Sequence, residues 1–263
     1  MSYCVTPKNH GLGWLPDLPD QRDFVFDSPS VLGVAPLLEQ VDLRSECPPI
    51  YNQGRLGSCT ANALAAVFDF DRKKEGKSFM TPSRLFIYWN ERELEGTVLS
   101  DAGASIRDGV KVLRKVGTPP ETDWPYDIAL FTERPSARAF SDAQKNEALS
   151  YQRILTPHND PTHDMLACLT RGYPFVTGIT VYESFEGPEA TKTGLIPMPG
   201  RDERILGGHA VVVVGYEQDK QHFICRNSWG EDWGDNGYFY LPFAYLTNRG
   251  LASDMWVIKT VEI

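Results

Sequence analysis

The 263-residue chain lacks several things that would point elsewhere. No stretch approaches the roughly 20 consecutive apolar residues that span a bilayer, and Met1 to Gly11 has no apolar run of signal-peptide length. A membrane partner is therefore not expected. Basic residues do not cluster: 26 Lys and Arg stand against 35 Asp and Glu, a net charge of −9, and groups such as Arg72-Lys73-Lys74 sit among acids. Binding a nucleic-acid polymer needs a cationic face to neutralise phosphates, so none is expected as a partner. The five cysteines, Cys4, Cys47, Cys59, Cys168 and Cys225, are odd in number and form no C-x-x-C pair. That argues against a zinc site and a full disulfide framework, and for a reducing compartment such as the cytoplasm. The run His158-Asn159-Asp160-Pro161-Thr162-His163 reads as a polar surface loop rather than a metal site. Neither a metal nor another cofactor is expected. No repeat or low-complexity tract interrupts the chain.

What is present reads as a globular protein, 41% apolar and 23% charged. Residues 1–37 carry breakers (Gly11, Gly13, Pro16, Pro19, Pro29, Pro36) with Trp14, Leu15, Phe24, Val25 and Phe26 between them. They read as an extended arm on a body of residues 38–263. From 38 to about 150 the spacing predicts helices over Ser58 to Lys74, with Ser58 as N-cap, over Leu85 to Glu95 after Thr81-Pro82-Ser83, and over Ile106 to Lys115. From about 151 to 263, β-branched runs at Phe175 to Tyr182, Ala210 to Tyr216, Phe223 to Arg226, Tyr238 to Leu241 and Met255 to Val261 predict strands. Helices first and strands later give an α+β protein of two lobes, with a cleft between them as the place for a substrate.

Four local features carry chemistry. Gln53-x5-Cys59 follows a Gly-rich turn and opens a helix. There the helix dipole favours a thiolate, the Cys59 N–H is free for an oxyanion, and Gln53 can supply a second donor. Gly207-Gly208-His209-Ala210-Val211 sets an imidazole at the entry to a strand. Asn227-Ser228-Trp229-Gly230 offers an amide to fix that imidazole and an indole to shield it, and Trp233-Gly234-x-x-Gly237-Tyr238 turns back into a strand. Each alone is ordinary: a buried thiol, a structural histidine, an aromatic turn. Together they are not. Cys59 lies 150 residues before His209 and 168 before Asn227, at or just beyond the roughly 130–150 of a papain-type site.

In this combination, reaching from about Val41 to the C-terminus, the sequence resembles the papain-like cysteine peptidases, bacterial members with a short N-terminal arm above all. The resemblance implies a helical left lobe and a β-barrel-like right lobe with the active site between them. It implies Cys59 as nucleophile, His209 as base and then acid, Asn227 as its orienter, Gln53 with the Cys59 N–H as oxyanion hole, and Trp229 as shield. Gly103 resembles the glycine that pairs with an extended substrate. Ala104, Ile106, Gly178 and Gly208 would line the pocket for the second side chain before the scissile bond, with Asp254 near its floor favouring a basic group. A peptide or protein substrate follows.

The chain also departs from the family pattern. Leu56 stands where many relatives have a disulfide-forming cysteine, and Thr60 replaces the usual aromatic residue after the nucleophile. About 37 residues precede the body, too few for the long helical propeptide of many relatives. The arm, through Trp14 to Asp27, either covers the cleft and restrains activity or merely packs on the lobes. Segment 183–204 is long enough to obstruct one end of the cleft. Two other readings share the constellation: a catalytically silent binding module, and an acyl transferase.

Overall fold

A computed structural model describes residues 10–26, 36–155 and 162–259. Three main helices form one side: α1 (Cys59–Lys74), α2 (Arg84–Glu95) and α3 (Ile106–Lys115), all where periodicity put them. α1 is buried all round from Cys59 to Asp71, as a helix wedged between α2, α3 and a sheet must be. Ser83 and Ser105 cap α2 and α3, their hydroxyls accepting from the N–H groups of Phe86 and Asp108. Ser58 does not cap α1. Its hydroxyl instead shares a 2.5 Å hydrogen bond with Tyr126 Oη and accepts one from Asn62 Nδ2.

The strands are β1 (Trp14–Leu15), β2 (Gln40–Asp42), β3 (Ala104–Ser105), β4 (Ser150–Ile154), β5 (Phe175–Tyr182), β6 (Ile205–Glu217), β7 (His222–Arg226), β8 (Tyr238–Pro242) and β9 (Ala252–Lys259). β1 and β3 pair in parallel. The others form an antiparallel sheet in the order β4-β9-β5-β6-β7-β8, with β2 added to β6 at Gly215–Glu217, just past the end of the β5 pairing at Val213. Among the described residues β4 and β8 do not pair, so the barrel-like lobe is an open sheet. β2, from the stretch read as helical, belongs to this sheet.

Strand β6 explains how the lobes join. Its run Ala210 to Val214 is buried on both faces, and alternate residues serve different cores. Ala210, Val212 and Val214 pack with Leu64, Val67 and Phe68 of α1. Val211 and Val213 pack with Phe175, Phe223 and Phe239 on the far side. The sheet is thus the wall shared by both lobes, and residues at the start of β6 come up beside the first turn of α1. Short helices α4 (Ala137–Ala143), α5 (His163–Thr170), α6 (Pro188–Thr193) and α7 (Phe243–Thr247) complete the fold. Of the polar loop at 158–163, residues 158–161 lie outside the described residues, and His163 opens α5.

Candidate active site

Cys59 is the first residue of α1 and fully buried. Its sulfur faces the backbone N–H groups of Thr60, Ala210 and Gly13. Ala210 directly follows His209, so β6 places the His209 backbone close to the thiol across the lobe boundary. The loop before Cys59 is tied to the opposite wall by backbone bonds. Gln53 N–H donates to Ser228 O at 2.9 Å, and Gly230 N–H donates to Tyr51 O at 3.0 Å.

The tautomer of His209 follows from its partners. Asn227 Oδ1 accepts from Ser228 N–H at 2.8 Å, which fixes which end of the amide is the oxygen. The same oxygen lies 2.8 Å from His209 Nε2, so Nε2 carries the proton and donates. Nδ1 is then a bare lone pair, buried and without a hydrogen bond to any described residue. Trp229 stacks on the ring with centroids 4.7 Å apart, keeping water from the His209–Asn227 bond. Phe185, from the segment 183–204, meets Trp229 edge-on and buttresses it.

Gln53 is held by both ends of its amide. Ser228 Oγ donates to Oε1 at 2.6 Å and Nε2 donates to Leu56 O at 2.9 Å. Its remaining N–H is directed to the oxygen of Gly11, 3.1 Å away. Ser228, which sequence reasoning passed over as turn chemistry, is therefore a link between Gln53 and Asn227. Its partner lies 175 residues away, so no local pattern could show it.

The arm runs the length of this site. His10 stacks on Trp229 at 4.5 Å, Gly11 O meets Gln53, Gly13 lies over Gly57 beside Cys59, and Trp14 enters a pocket. Gly11 and Gly13 are not breakers here. They are glycines because the arm passes too close for a side chain: a Cβ would fall 2.1 Å from Leu56 O and 1.8 Å from Gly57 O respectively. Gly103, at φ +77, and Ala104 flank the arm, and Ala104 N–H donates to Gly13 O at 2.8 Å. Gly178 and Gly208 lie under the indole of Trp14; a Cβ on Gly178 would come within 1.9 Å of it. Ile106 shares the buried cluster that holds Trp14. Asp254, at φ +58, is buried next to the arm at Asp17. Its carboxylate accepts from Asp17 N–H at 2.8 Å and from Arg153 at 2.7 Å, so its charge is already paired.

With the arm seated, the site is dry and uncharged. Burial pushes the Cys59 thiol up to about 11, more than its three facing N–H groups draw it down. Burial likewise lowers His209 to about 4, against the opposing pull of its bond to Asn227. The helix dipole expected to favour a thiolate is outweighed by the missing water.

A family model described as "Papain family cysteine protease" matches residues 37–257. The chain belongs to the papain family of cysteine proteases. Its fold superposes on xylellain, a cysteine protease from Xylella fastidiosa, with a TM-score of 0.86 and 43% identity over 98% of this chain and 100% of that one. An uncharacterized peptidase C1-like protein of Acanthamoeba polyphaga mimivirus is 39% identical over 91% of this chain and 75% of its own length. A more distant relative, Peptidase 1 of Psoroptes ovis, is 25% identical over 80% of this chain, which spans 62% of that protein. As a papain-family protease the protein is a hydrolase.

Proposed function

We propose that the protein hydrolyses peptide bonds through Cys59 and His209, and that its own arm restrains it until displaced. The observation that carries the chemistry is the Ser228–Asn227–His209 chain of hydrogen bonds, which leaves Nδ1 bare, while the thiol faces the N–H of the next residue, Ala210. Once the arm leaves and water enters, Nδ1 takes the thiol proton and the sulfur attacks the peptide carbonyl. The carbonyl oxygen gains the electron pair and is held by the Cys59 N–H and Gln53 Nε2. Collapse breaks the C–N bond, and His209 gives its proton to the departing amine. Water, deprotonated by His209, then attacks the thioester and frees Cys59 and the carboxylic acid.

The same chemistry sets chain direction. The amine must leave on the His209–Trp229 side, while the acyl part stays toward Gly103. A substrate therefore runs from the Gly103–Gly178 pocket to Trp229. The arm runs the other way, from His10 at Trp229 to Trp14 in the pocket, which supports its role as an inhibitor rather than a substrate. The pocket residues are Gly103, Ala104, Ile106, Gly178 and Gly208.

Labelling with a thiol-reactive peptide epoxide, read by mass, tests the reading. Modification at Cys59 with loss of peptide hydrolysis is expected once the arm is displaced. Labelling spread over Cys47, Cys168 and Cys225, with no peptide cleaved, would favour a silent binding module.

A further inference from the structure

Three residues before Cys59, the loop that shapes the oxyanion hole has Leu56 where many relatives have a disulfide-forming cysteine. Something else must hold it. The peptide unit joining Leu56 to Gly57 is used from both sides. Its carbonyl accepts from Gln53 Nε2 at 2.9 Å, and its N–H, on Gly57, donates to both carboxylate oxygens of Asp101 at 3.0 Å. In a trans peptide these two groups point in opposite directions, so anchoring the N–H fixes where the carbonyl aims. The carbonyl in turn decides which way the Gln53 amide faces.

Asp101 reaches a second element as well. Tyr88 Oη, from the buried face of α2, donates to Asp101 Oδ1 at 2.5 Å. The same phenol oxygen accepts from Gly103 N–H at 3.1 Å. Gly57, Tyr88 and Gly103 are all buried, with Asp101 at the rim. The chain Gly57–Asp101–Tyr88–Gly103 thus crosses beneath the backbone of Gly13, which lies against Gly57 on one side and Gly103 on the other.

We infer that Asp101 is a positioning residue for the reaction proposed above. Through the 56–57 peptide it aims the Gln53 donor at the oxyanion, and through Tyr88 it places the Gly103 backbone against the substrate. The inference rests on the peptidase reading. It divides the clamp in two: the Gly57 branch acts on the transition state, and the Tyr88 branch acts on substrate binding.

The test uses the full chain carrying Gly13→Val, whose added Cβ cannot pass Gly57 O, so that the cleft is open. Adding Asp101→Ala should lower kcat by about 10- to 100-fold, part of what a lost oxyanion donor costs, and raise KM as well. Asp101→Asn, which keeps an acceptor for Gly57 N–H, should recover most of kcat. Tyr88→Phe should raise KM and leave kcat within about twofold. In a Gln53→Ala background Asp101→Ala should cost no further kcat, because the donor it aims is gone. An undiminished loss in that background, or a kcat untouched by Asp101→Ala, would overturn the inference. The Gln53 side-chain amide resonances give a reading independent of turnover: distinct and slowly exchanging in the parent, averaged in Asp101→Ala. Identical resonances in both would also overturn it. A parent that cleaves no peptide while these resonances follow Asp101 would sink the peptidase reading and leave the clamp standing.

Discussion

The carbonyl oxygen of Gly11 sits 3.1 Å from Gln53 Nε2, on the one N–H of that amide not committed elsewhere in the protein. A backbone carbonyl of the arm thus occupies the place proposed for the oxyanion of a substrate. Beside it Gly13 closes over Cys59, and both glycines are required by the closeness of the loop at residues 55–57.

Gly13→Val should therefore unseat the arm without touching the catalytic side chains. Hydrolysis of fluorogenic peptides is expected to rise by about 100-fold in kcat/KM, the scale on which a docked state gives way to an open one. Equal rates for the two proteins would show that the arm merely rests on the lobes.

Alkylation of Cys59 should report the same change through pH. In the intact chain the thiol is pushed up to about 11, so iodoacetamide labelling at pH 7 should be slow and climb only in strong alkali. In Gly13→Val, with water admitted, the rise should move several pH units lower. Superimposable profiles would show that burial under the arm is not what holds the thiol neutral.

Buried groups make arm docking depend on pH in opposite senses. His209 is lowered from 6.5 to about 4, so the docked state binds its proton less well, and docking strength is lost as pH falls from 6.5 toward 4. Asp17 is raised from 3.8 to about 6 by burial and by Asp254, so its contribution is present below 3.8 and lost as pH rises through 6. His10, stacked on Trp229 and lowered by burial, acts in the same sense as His209, so a chain with His209→Ala and His10→Phe leaves Asp17 to govern the range from pH 4 to 6. The protection factor of Ala104 N–H, which donates to Gly13 O, should then fall as pH rises from 4 to 6; a protection factor that rises over that range would contradict the assignment.

In the arm-released chain, Gln53→Ala should cost about 10²–10³ in kcat, the usual loss of one oxyanion donor. Asn227→Ala frees the imidazole to take the wrong tautomer and should lower kcat by about 10²-fold. A larger effect on KM than on kcat for either variant would place these residues in substrate binding.

Glu91 on α2 is fully buried, accepts from Thr60 Oγ1 at 2.9 Å and has its pKa raised by burial. Burial favours its neutral form, so Glu91→Gln, which keeps the shape and an acceptor for Thr60, should cost little Tm. Glu91→Ala removes the Thr60 partner and opens a cavity, for about 2–3 kcal/mol. Because a raised pKa means stability lost with rising pH, the wild type should lose Tm in alkali where Glu91→Gln does not.

Cys59, His209, Asn227 and Gln53 could be singled out because the proposed chemistry needs those side chains in that chain order. α1, α2 and α3 were legible from apolar spacing, and strands such as Phe175–Tyr182 from β-branched runs. What escaped was set by contacts between distant segments. β1 and β3 hold two residues each, too few for any period to show. Ser58 looks like a cap, but Tyr126, 68 positions on, claims its hydroxyl. Gly11 and Gly13 look like turns until the loop they cross is in view. Asp254 was placed near the pocket floor as an acid favouring a basic group, and only the fold brings Arg153 to it.

The reversed course of the arm has a further consequence. Where the arm inhibits as proposed, it is fastened to its protease by a short stretch of chain and is never diluted away. Its effective concentration is of the order of millimolar, so a scarce substrate cannot compete, whatever its affinity for the open cleft at micromolar levels. Such a molecule behaves as a threshold: silent until its surroundings loosen or sever the tether, and, if only loosened, able to fall silent again.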